Sequence, residues 1–285
     1  MAKDTFLNRK ITLNSKGNLI DLSQPAVMAI LNLTPDSFYS QSRVKNNDEA
    51  LKRTANFIQE GAQFIDIGAY SSRPGATHVS EAEELERLLP IVEVIAKEFP
   101  NTLISIDTFR AKVAEAAILS GAHLINDISA GSLDEAMFDT VAKLQVPYIM
   151  MHMKGTPQNM QENPTYENIT SEVLTYFIEK LNHLRKLGIK DIIIDPGFGF
   201  AKTIDHNYKL LQEMESLNIL ALPILVGFSR KSMLTKFLEI KSEEALNGTT
   251  VLNTISLQKG AKILRVHDVK AAMECIKVSE KVKFA

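Results

Sequence analysis

Two kinds of apolar pattern alternate along this chain. Short runs rich in Ile, Val, Leu and Met recur at Val27–Leu31, Phe64–Ile67, Leu103–Ile106, His123–Ile125, Pro147–Met151, Asp191–Ile194, Pro223–Val226 and Lys262–Val266. Such near-continuous apolar runs suit strands covered on both faces, as in a parallel sheet. Between them lie longer stretches with apolar positions three or four apart, as at Leu85, Leu88, Leu89, Val92 and Ile95, the spacing of a helix with one apolar stripe. These predict helices over Asp48–Glu60, Ser80–Lys97, Arg110–Ser120, Asp134–Leu144, Tyr166–Leu187, Ile204–Met214, Arg230–Ile240, Ala245–Lys259 and Val269–Lys281. Eight strand-helix units with no linker rich in Pro or Ser favour an α/β fold of the closed (β/α)8 barrel type over an open sheet. Upstream, Phe6–Leu13 and Leu19–Leu22 flank Asn14-Ser15-Lys16-Gly17-Asn18, which has the composition of a turn. An N-terminal β-hairpin within residues 1–24 is therefore expected to close one end of a single barrel domain spanning 1–285.

Composition narrows the partners. At 285 residues and 45% hydrophobic, the chain can bury one large core or two modest ones. A net charge of −2 gives no electrostatic reason for a nucleic acid or an anionic membrane as partner, which favours a small solute. The sole cysteine, Cys275, cannot form an internal disulfide and suits a reducing compartment. No Cys and His cluster with metal-ligand spacing is present. Met1–Lys10 is too polar for a signal peptide, and no segment reaches the roughly 20 apolar residues of a membrane helix, so the cytoplasm is expected.

Polar residues then gather at the ends of the predicted strands: Asn32, Asp66 and Gly68, Asp107, Asn126 and Asp127, His152, Asp195, Gly227 to Ser229, and Arg265, His267 and Asp268. In a barrel these carboxyl ends share one rim, where active sites lie. A few of them would pass as helix caps; polar residues at all eight ends point to a shared site. The stretch Ile192–Lys202 condenses the pattern, with three isoleucines, a carboxylate at Asp195, a Pro196-Gly197 break, and Phe198 and Phe200 around Gly199. A carboxylate beside apolar rings suits a planar, hydrogen-bonding ligand, although Asp195 as a helix cap and the two Phe as core fit the segment equally well.

Across Val27 to Asp268 the chain resembles the dihydropteroate synthase family. The resemblance rests on Ile30-Leu-Asn-Leu-Thr-Pro-Asp-Ser-Phe38, Asp66-Ile-Gly68 with Ser72-Arg-Pro-Gly75, Ser105-Ile-Asp-Thr108, Ile125-Asn-Asp-Ile-Ser129, Met151-His-Met153, Asp195-Pro-Gly-Phe-Gly-Phe200, Gly227-Phe-Ser-Arg-Lys-Ser232 and Arg265-Val-His-Asp-Val269. It implies condensation of 6-hydroxymethyl-7,8-dihydropterin pyrophosphate with p-aminobenzoate, with Mg²⁺, in folate synthesis, and a homodimer. It assigns Asp107, Asn126, Asp195 and Lys231 to the pterin, whose amino and ring N–H donors and carbonyl acceptor need that complement, with Met151 as an apolar wall. It gives the pyrophosphate to Asn32, Ser72, Arg73, Arg265 and His267, with Asn32 also offering an oxygen to Mg²⁺. Asn32, Asp107, Asp195, Lys231, Arg265 and His267 are the residues it implies for catalysis.

The resemblance places p-aminobenzoate among Phe38, Ser72, Pro74, Phe200 and Ser232. Ser229-Arg-Lys-Ser232 would open an apolar helix carrying Met233, Leu234, Phe237 and Leu238, so the free N–H groups and dipole at its start could hold the carboxylate, or Ser229 could merely cap it. Two departures fall in loops: Tyr39-Ser-Gln-Ser42 where many members carry Asp-Gly-Gly, and Tyr70-Ser-Ser-Arg73 in place of Glu-Ser-Thr-Arg. They bear on p-aminobenzoate affinity and sulfonamide response more than on the reaction. Two other readings share the pterin readers: a methyltetrahydrofolate-dependent methyltransferase and a pterin-binding protein without turnover. The first needs no pyrophosphate ligands; the second would form no amine-dependent product.

Overall fold

The computed structural model describes residues 11–33, 47–70, 79–157, 159–160 and 164–283. Eight parallel strands form the closed barrel: β3 (Ala26–Asn32), β4 (Phe64–Gly68), β5 (Leu103–Asp107), β6 (Leu124–Asp127), β7 (Tyr148–Met151), β8 (Ile192–Asp195), β9 (Ile224–Val226) and β10 (Ala261–Val266). They run in sequence order, and β10 pairs with β3 to close the ring. The helices that follow them are α1 (Asn47–Glu60), α2 (Glu81–Glu98), α3 (Ala111–Leu119), α4 (Met137–Leu144), α5 (Ile169–Lys186), α6 (Ile204–Gln212), α7 (Ser232–Thr235) with α8 (Leu246–Gln258), and α9 (Val269–Lys283).

Pleat alternation divides each strand between two cores. Ile65, Ile67, Ile104, Ile106, Ile125, Ile192, Ile194 and Val226 pack outward against the helices. Their sequence neighbours Met28, Phe64, Leu124, Ile149, Ile193, Leu225 and Ile263 form an inner core at the amino-terminal end of the barrel. The three isoleucines of β8 are thus shared, Ile193 inward and its two neighbours outward. Leu13, Ile20 and Leu22 of the hairpin complete that inner core and cover the barrel floor.

The hairpin is tighter than the sequence suggests. Asn14 and Ser15, expected in the turn, pair with Leu19 and Asn18 in β1 (Thr12–Ser15) and β2 (Asn18–Asp21). Only Lys16 and Gly17 turn, at φ 52° and 87°, because a two-residue turn with positive φ matches the strand twist. The predicted start of the first strand at Phe6 lies outside the described residues.

Most helices match their predicted spans, with shorter starts where capping chemistry decides. Asp134 lies before α4, and its carboxylate accepts the Ala136 and Ala111 N–H groups at 3.0 and 2.7 Å. The exception is Arg230–Ile240, where only Ser232–Thr235 is α-helical. Arg230 at φ 56° and Glu239 at φ 56° bracket it with left-handed backbone. Phe237 and Leu238, expected on an apolar helix face, are 60% and 44% exposed.

The floor core makes a direct expectation. Leu22→Ala, at a fully buried position, lowers the unfolding free energy by about 2–5 kcal/mol. Leu19→Ala, 75% exposed on the same hairpin, changes it by under about 0.5 kcal/mol. Denaturant titration of the two variants checks this; equal small losses would remove the hairpin from the core.

Candidate active site

Above the apolar floor the inward strand positions turn polar. Asp66, Gly68, Ser105, Asp107, Asn126 and Arg265 follow inward neighbours two residues earlier on β4, β5, β6 and β10. Arg265 stands between two carboxylates, with Nε donating to Asp66 Oδ2 at 2.6 Å and Nη2 to Asp107 Oδ2 at 2.5 Å. Asn126 Nδ2 donates to the same Asp66 oxygen at 3.1 Å. Asp66 Oδ1 and Ser105 Oγ, on register-paired residues, are buried without a hydrogen bond. Burial pushes the Asp107 carboxyl up to about 7, with Arg265 opposing the rise and Asp66 adding to it. Burial also works against the charge on Arg265, but the two carboxylates outweigh it and hold the guanidinium protonated.

Across the mouth, Asp195 ends β8, and its Oδ1 accepts the Gly197 N–H at 2.8 Å. That bond ties the Pro196-Gly197 break to the strand rather than capping α6, which Thr203 caps. Burial raises the Asp195 carboxyl above the usual carboxylate range, with Lys231 opposing first. Lys231 Nζ donates to the Phe198 carbonyl at 2.6 Å and lies 4.7 Å from the centre of the Phe200 ring. Burial brings this ammonium down to about 8, while Asp195 holds it up. Phe198 is fully buried against Phe228, with ring centres 4.5 Å apart. Phe200 is half-buried and packs on the cluster of Ile128, Met151, Met153, Met160 and Ala201, so Met151 is part of an apolar wall.

His267 follows β10 and is held by Ser229. The Ser229 hydroxyl lies 2.9 Å from His267 Nδ1, and its oxygen accepts the His267 backbone N–H at 3.2 Å. The Ser229 hydroxyl thus holds both the ring and the backbone of His267. Burial, and then Arg265, push the imidazole down to about 3, so it is uncharged at ordinary pH. Arg230 fastens the same two loops together, gripping both Asp268 oxygens at 2.9 Å and the Ser242 and Glu243 carbonyls at 2.7 and 2.9 Å.

The fold therefore gathers Asp107, Asn126, Asp195, Lys231, Arg265, His267, Met151 and Phe200 at one mouth. Asn32 ends β3 in register with Gly68. Ser232 opens α7 and is exposed, and a four-residue α7 has little dipole to offer an anion, against the expectation for that segment. Ser229 holds His267 instead of capping a helix, because α7 has Lys231 at its cap position. Arg265, expected to face phosphate, spends two N–H groups on internal carboxylates. Phe38, Ser72, Arg73 and Pro74, and the departure at Tyr39-Ser42, lie outside the described residues, whereas the Tyr70 ring of the second departure meets Phe109 edge-on with centres 5.0 Å apart.

Two residues had been given no role from sequence. Asp66 is 1% exposed in the middle of the cluster; a carboxylate between two isoleucines in an alternating strand was its signal, since buried acids are nearly always paired. Lys202, 4% exposed, closes the β8 loop, and nothing in its local pattern distinguishes it from a surface lysine.

Comparison with known proteins follows the same lines. The family model for pterin binding enzymes matches residues 28–267. The dihydropteroate synthase of Escherichia coli strain K12 is 42% identical over 270 residues, covering 94% of this chain and 95% of that one. A Yersinia pestis dihydropteroate synthase solved as a sulfonamide drug complex superposes with a TM-score of 0.93 at 40% identity, over 96% of this chain and 100% of the other. A Xanthomonas albilineans dihydropteroate synthase solved with 4-aminobenzoic acid gives a TM-score of 0.89 at 34% identity, over 97% and 100%. With the barrel, its polar mouth and near full-length similarity in agreement, this chain belongs to the pterin-binding enzyme family, among the dihydropteroate synthases.

Proposed function

We propose that this chain joins 6-hydroxymethyl-7,8-dihydropterin pyrophosphate to p-aminobenzoate, releasing pyrophosphate and a proton, by a substitution with carbocation character at the pterin methylene. The observation that carries the reading is the buried mouth in which Asp107, Asn126, Asp195 and Lys231 converge around the Arg265 cluster. Acceptor-only carboxylates match the amino and ring N–H groups of a pterin edge, and an ammonium and an amide match its carbonyl and ring nitrogen. Asp66, Asp107 and Asp195 bring three carboxyl groups to this mouth, where Arg265, Lys231 and, for Asp195, Lys202 oppose them, and carboxylate oxygens held there would favour positive charge developing on the pterin. The C–O bond to pyrophosphate breaks first, the amine nitrogen forms the new C–N bond last and then loses its proton, and no covalent enzyme intermediate is needed.

His267 and Arg265 would take phosphate oxygens, the latter through the guanidinium edge not committed to carboxylates. Phe200, half-buried at the mouth beside the Lys231 ammonium, would line the aminobenzoate pocket. Among the described residues no group of three or more His, Cys, Asp or Glu converges to hold a metal. Asn32 would hold, through its amide oxygen, a magnesium ion that arrives with the pyrophosphate, and the ion would supply positive charge beside the leaving group. The buried thiol of Cys275, midway along α9, suits a reducing cytoplasm.

We also read the chain as a homodimer. Val251 on α8 and Val278 on α9 are 50% and 62% exposed on two helices that pack together, and Phe237 adds an exposed ring nearby in sequence. Sedimentation of wild type and a Val251→Glu, Val278→Glu double variant tests this: a dimer that the double variant turns into a monomer is expected, and an unchanged assembly would refute the face.

Purified protein given the dihydropterin pyrophosphate and Mg²⁺ should release pyrophosphate and form dihydropteroate only when p-aminobenzoate is added. Saturable pterin binding without amine-dependent product would defeat the reading. For Lys231, lowered to about 8, the ammonium is lost as pH rises through that value. At saturating p-aminobenzoate, kcat/KM for the pterin substrate should fall above about pH 8, and Lys231→Met should be slow with that limb gone. A limb that persists in the variant would assign it elsewhere.

A further inference from the structure

The loop from Pro196 to Ala201 carries Phe200 of the proposed site and is built from unusual backbone. Gly197, Gly199 and Ala201 all have positive φ, at 70°, 82° and 48°. At Gly197 a Cβ would sit 2.1 Å from the His152 carbonyl oxygen, so the loop lies directly on the end of β7. A path of this kind persists only where its surroundings over-determine it. Its first half has obvious supports: Asp195 accepts the Gly197 N–H, Phe198 is buried on Phe228, and Lys231 donates to the Phe198 carbonyl. Its second half, which ends in Phe200, has Lys202.

The Lys202 ammonium is buried under the loop and donates to the Gly197 carbonyl at 3.0 Å and the Phe200 carbonyl at 3.1 Å. Its third neighbour is His152 Nδ1 at 2.9 Å. The His152 ring packs on Tyr176, centres 4.9 Å apart, and the Tyr166 hydroxyl donates to the Ala201 carbonyl at 2.9 Å. Three acceptors around one nitrogen match the three N–H bonds of an ammonium and leave none over. We propose that Lys202 is a positioning residue: by spanning Gly197, Phe200 and His152 it holds the outer half of the loop, and with it the Phe200 ring, in place for the amine substrate. The proposal rests on the reading of Phe200 as a wall of the aminobenzoate pocket.

The charges around it are consistent with that task. Burial pushes Lys202 down to about 7, with Asp195 holding it up and Lys231 and Lys154 adding to the fall. Burial, followed by the charges of Lys202 and Lys154, pushes His152 down to about 2, which keeps the ring neutral and Nδ1 an acceptor. Neither group hydrogen-bonds the Asp107 and Arg265 cluster, and Asp195, which feels the Lys202 charge, keeps Lys231 as its main counter-charge, so the larger effect falls on the amine substrate. The inner half of the loop, anchored by Phe198, would stay where Lys231 needs it.

Lys202→Met removes the donor while keeping a side chain of similar length. Expected is a rise of about tenfold or more in KM for p-aminobenzoate, with Kd for the bare pterin within about twofold of wild type. A p-aminobenzoate KM within twofold of wild type would overturn the proposal, and so would equal losses for both ligands, which mark general loosening. Phe200→Ala is measured beside it. If it leaves the p-aminobenzoate KM unchanged, the pocket reading fails; if it raises that KM while Lys202→Met does not, only the positioning role fails. Should Lys202→Met not fold, His152→Leu keeps the lysine but takes one acceptor away. A selective rise in the same KM is expected there too, and no rise overturns the proposal.

Discussion

Arg265 sets a single planar guanidinium between carboxylates from two other strands, at 2.6 Å from Asp66 and 2.5 Å from Asp107, where the side chain is only 18% exposed. An isolated buried carboxylate would be neutralised or would cost several kcal/mol. The arginine fork meets both acids at once because its donors diverge in a plane, which a lysine could not reproduce. Asp66 lies 199 residues and Asp107 158 residues away along the chain, so the contact exists only once the barrel has closed. Removing one member leaves the others as uncompensated buried charges, which ties the chemistry of the mouth to the integrity of the fold. The third carboxylate, Asp195, approaches from the far side with Lys231 as its main counter-charge.

The barrel can carry this charge because its interior is layered. Below lies a dry floor of Met28, Phe64, Leu124, Ile149 and Ile193, sealed by Leu13, Ile20 and Leu22 from the hairpin. Two residues further along β4, β5, β6, β8 and β10, the same inward direction is polar. The outward positions between them remain aliphatic and hold the helices. One alternation therefore performs two tasks: it stabilises the shell, and it delivers the site residues to a rim already dehydrated from beneath, where charge-assisted bonds are strongest.

The loops above the rim are held by buried cations rather than by regular structure. Arg230 bridges the loop after β9 to Asp268 beyond β10, and so keeps Lys231 and His267 in a common frame. Lys202 does the corresponding work after β8, on the loop that carries Phe198 and Phe200. Each hydrogen-bonds two loop carbonyls, Ser242 and Glu243 for Arg230 and Gly197 and Phe200 for Lys202, in keeping with the rule that buried polar backbone must be paired. Left-handed residues at Arg230, Gly197, Gly199 and Ala201 mark the turns these cations stabilise.

Much of this was legible along the chain. Strand positions, the order of the units and the barrel class follow from apolar runs and helical spacing, because burial on both faces of a strand leaves a local signature. Polar residues at every strand end announced the site, and ordered motifs in those ends pointed to its chemistry. What stayed hidden depended on partners far apart in sequence. Asp66 looked like a strand-end polar residue and proved to be the hub of Arg265 and Asn126. Lys202 looked like an ordinary lysine and proved to be buried against His152, fifty residues earlier. The helix expected after Arg230 shrank to one turn because left-handed backbone on either side overrode its apolar spacing. The stretch Ile192–Lys202 shows the division most clearly. Its sequence by itself determined a strand, a carboxylate at its end and a glycine-broken loop, since those follow from local sterics and hydrophobicity. Only the closed barrel decided that Asp195 faces Lys231, that Phe198 is core while Phe200 stands at the mouth, and that Lys202 turns inward, because burial and charge pairing are set by whichever strands the fold brings together.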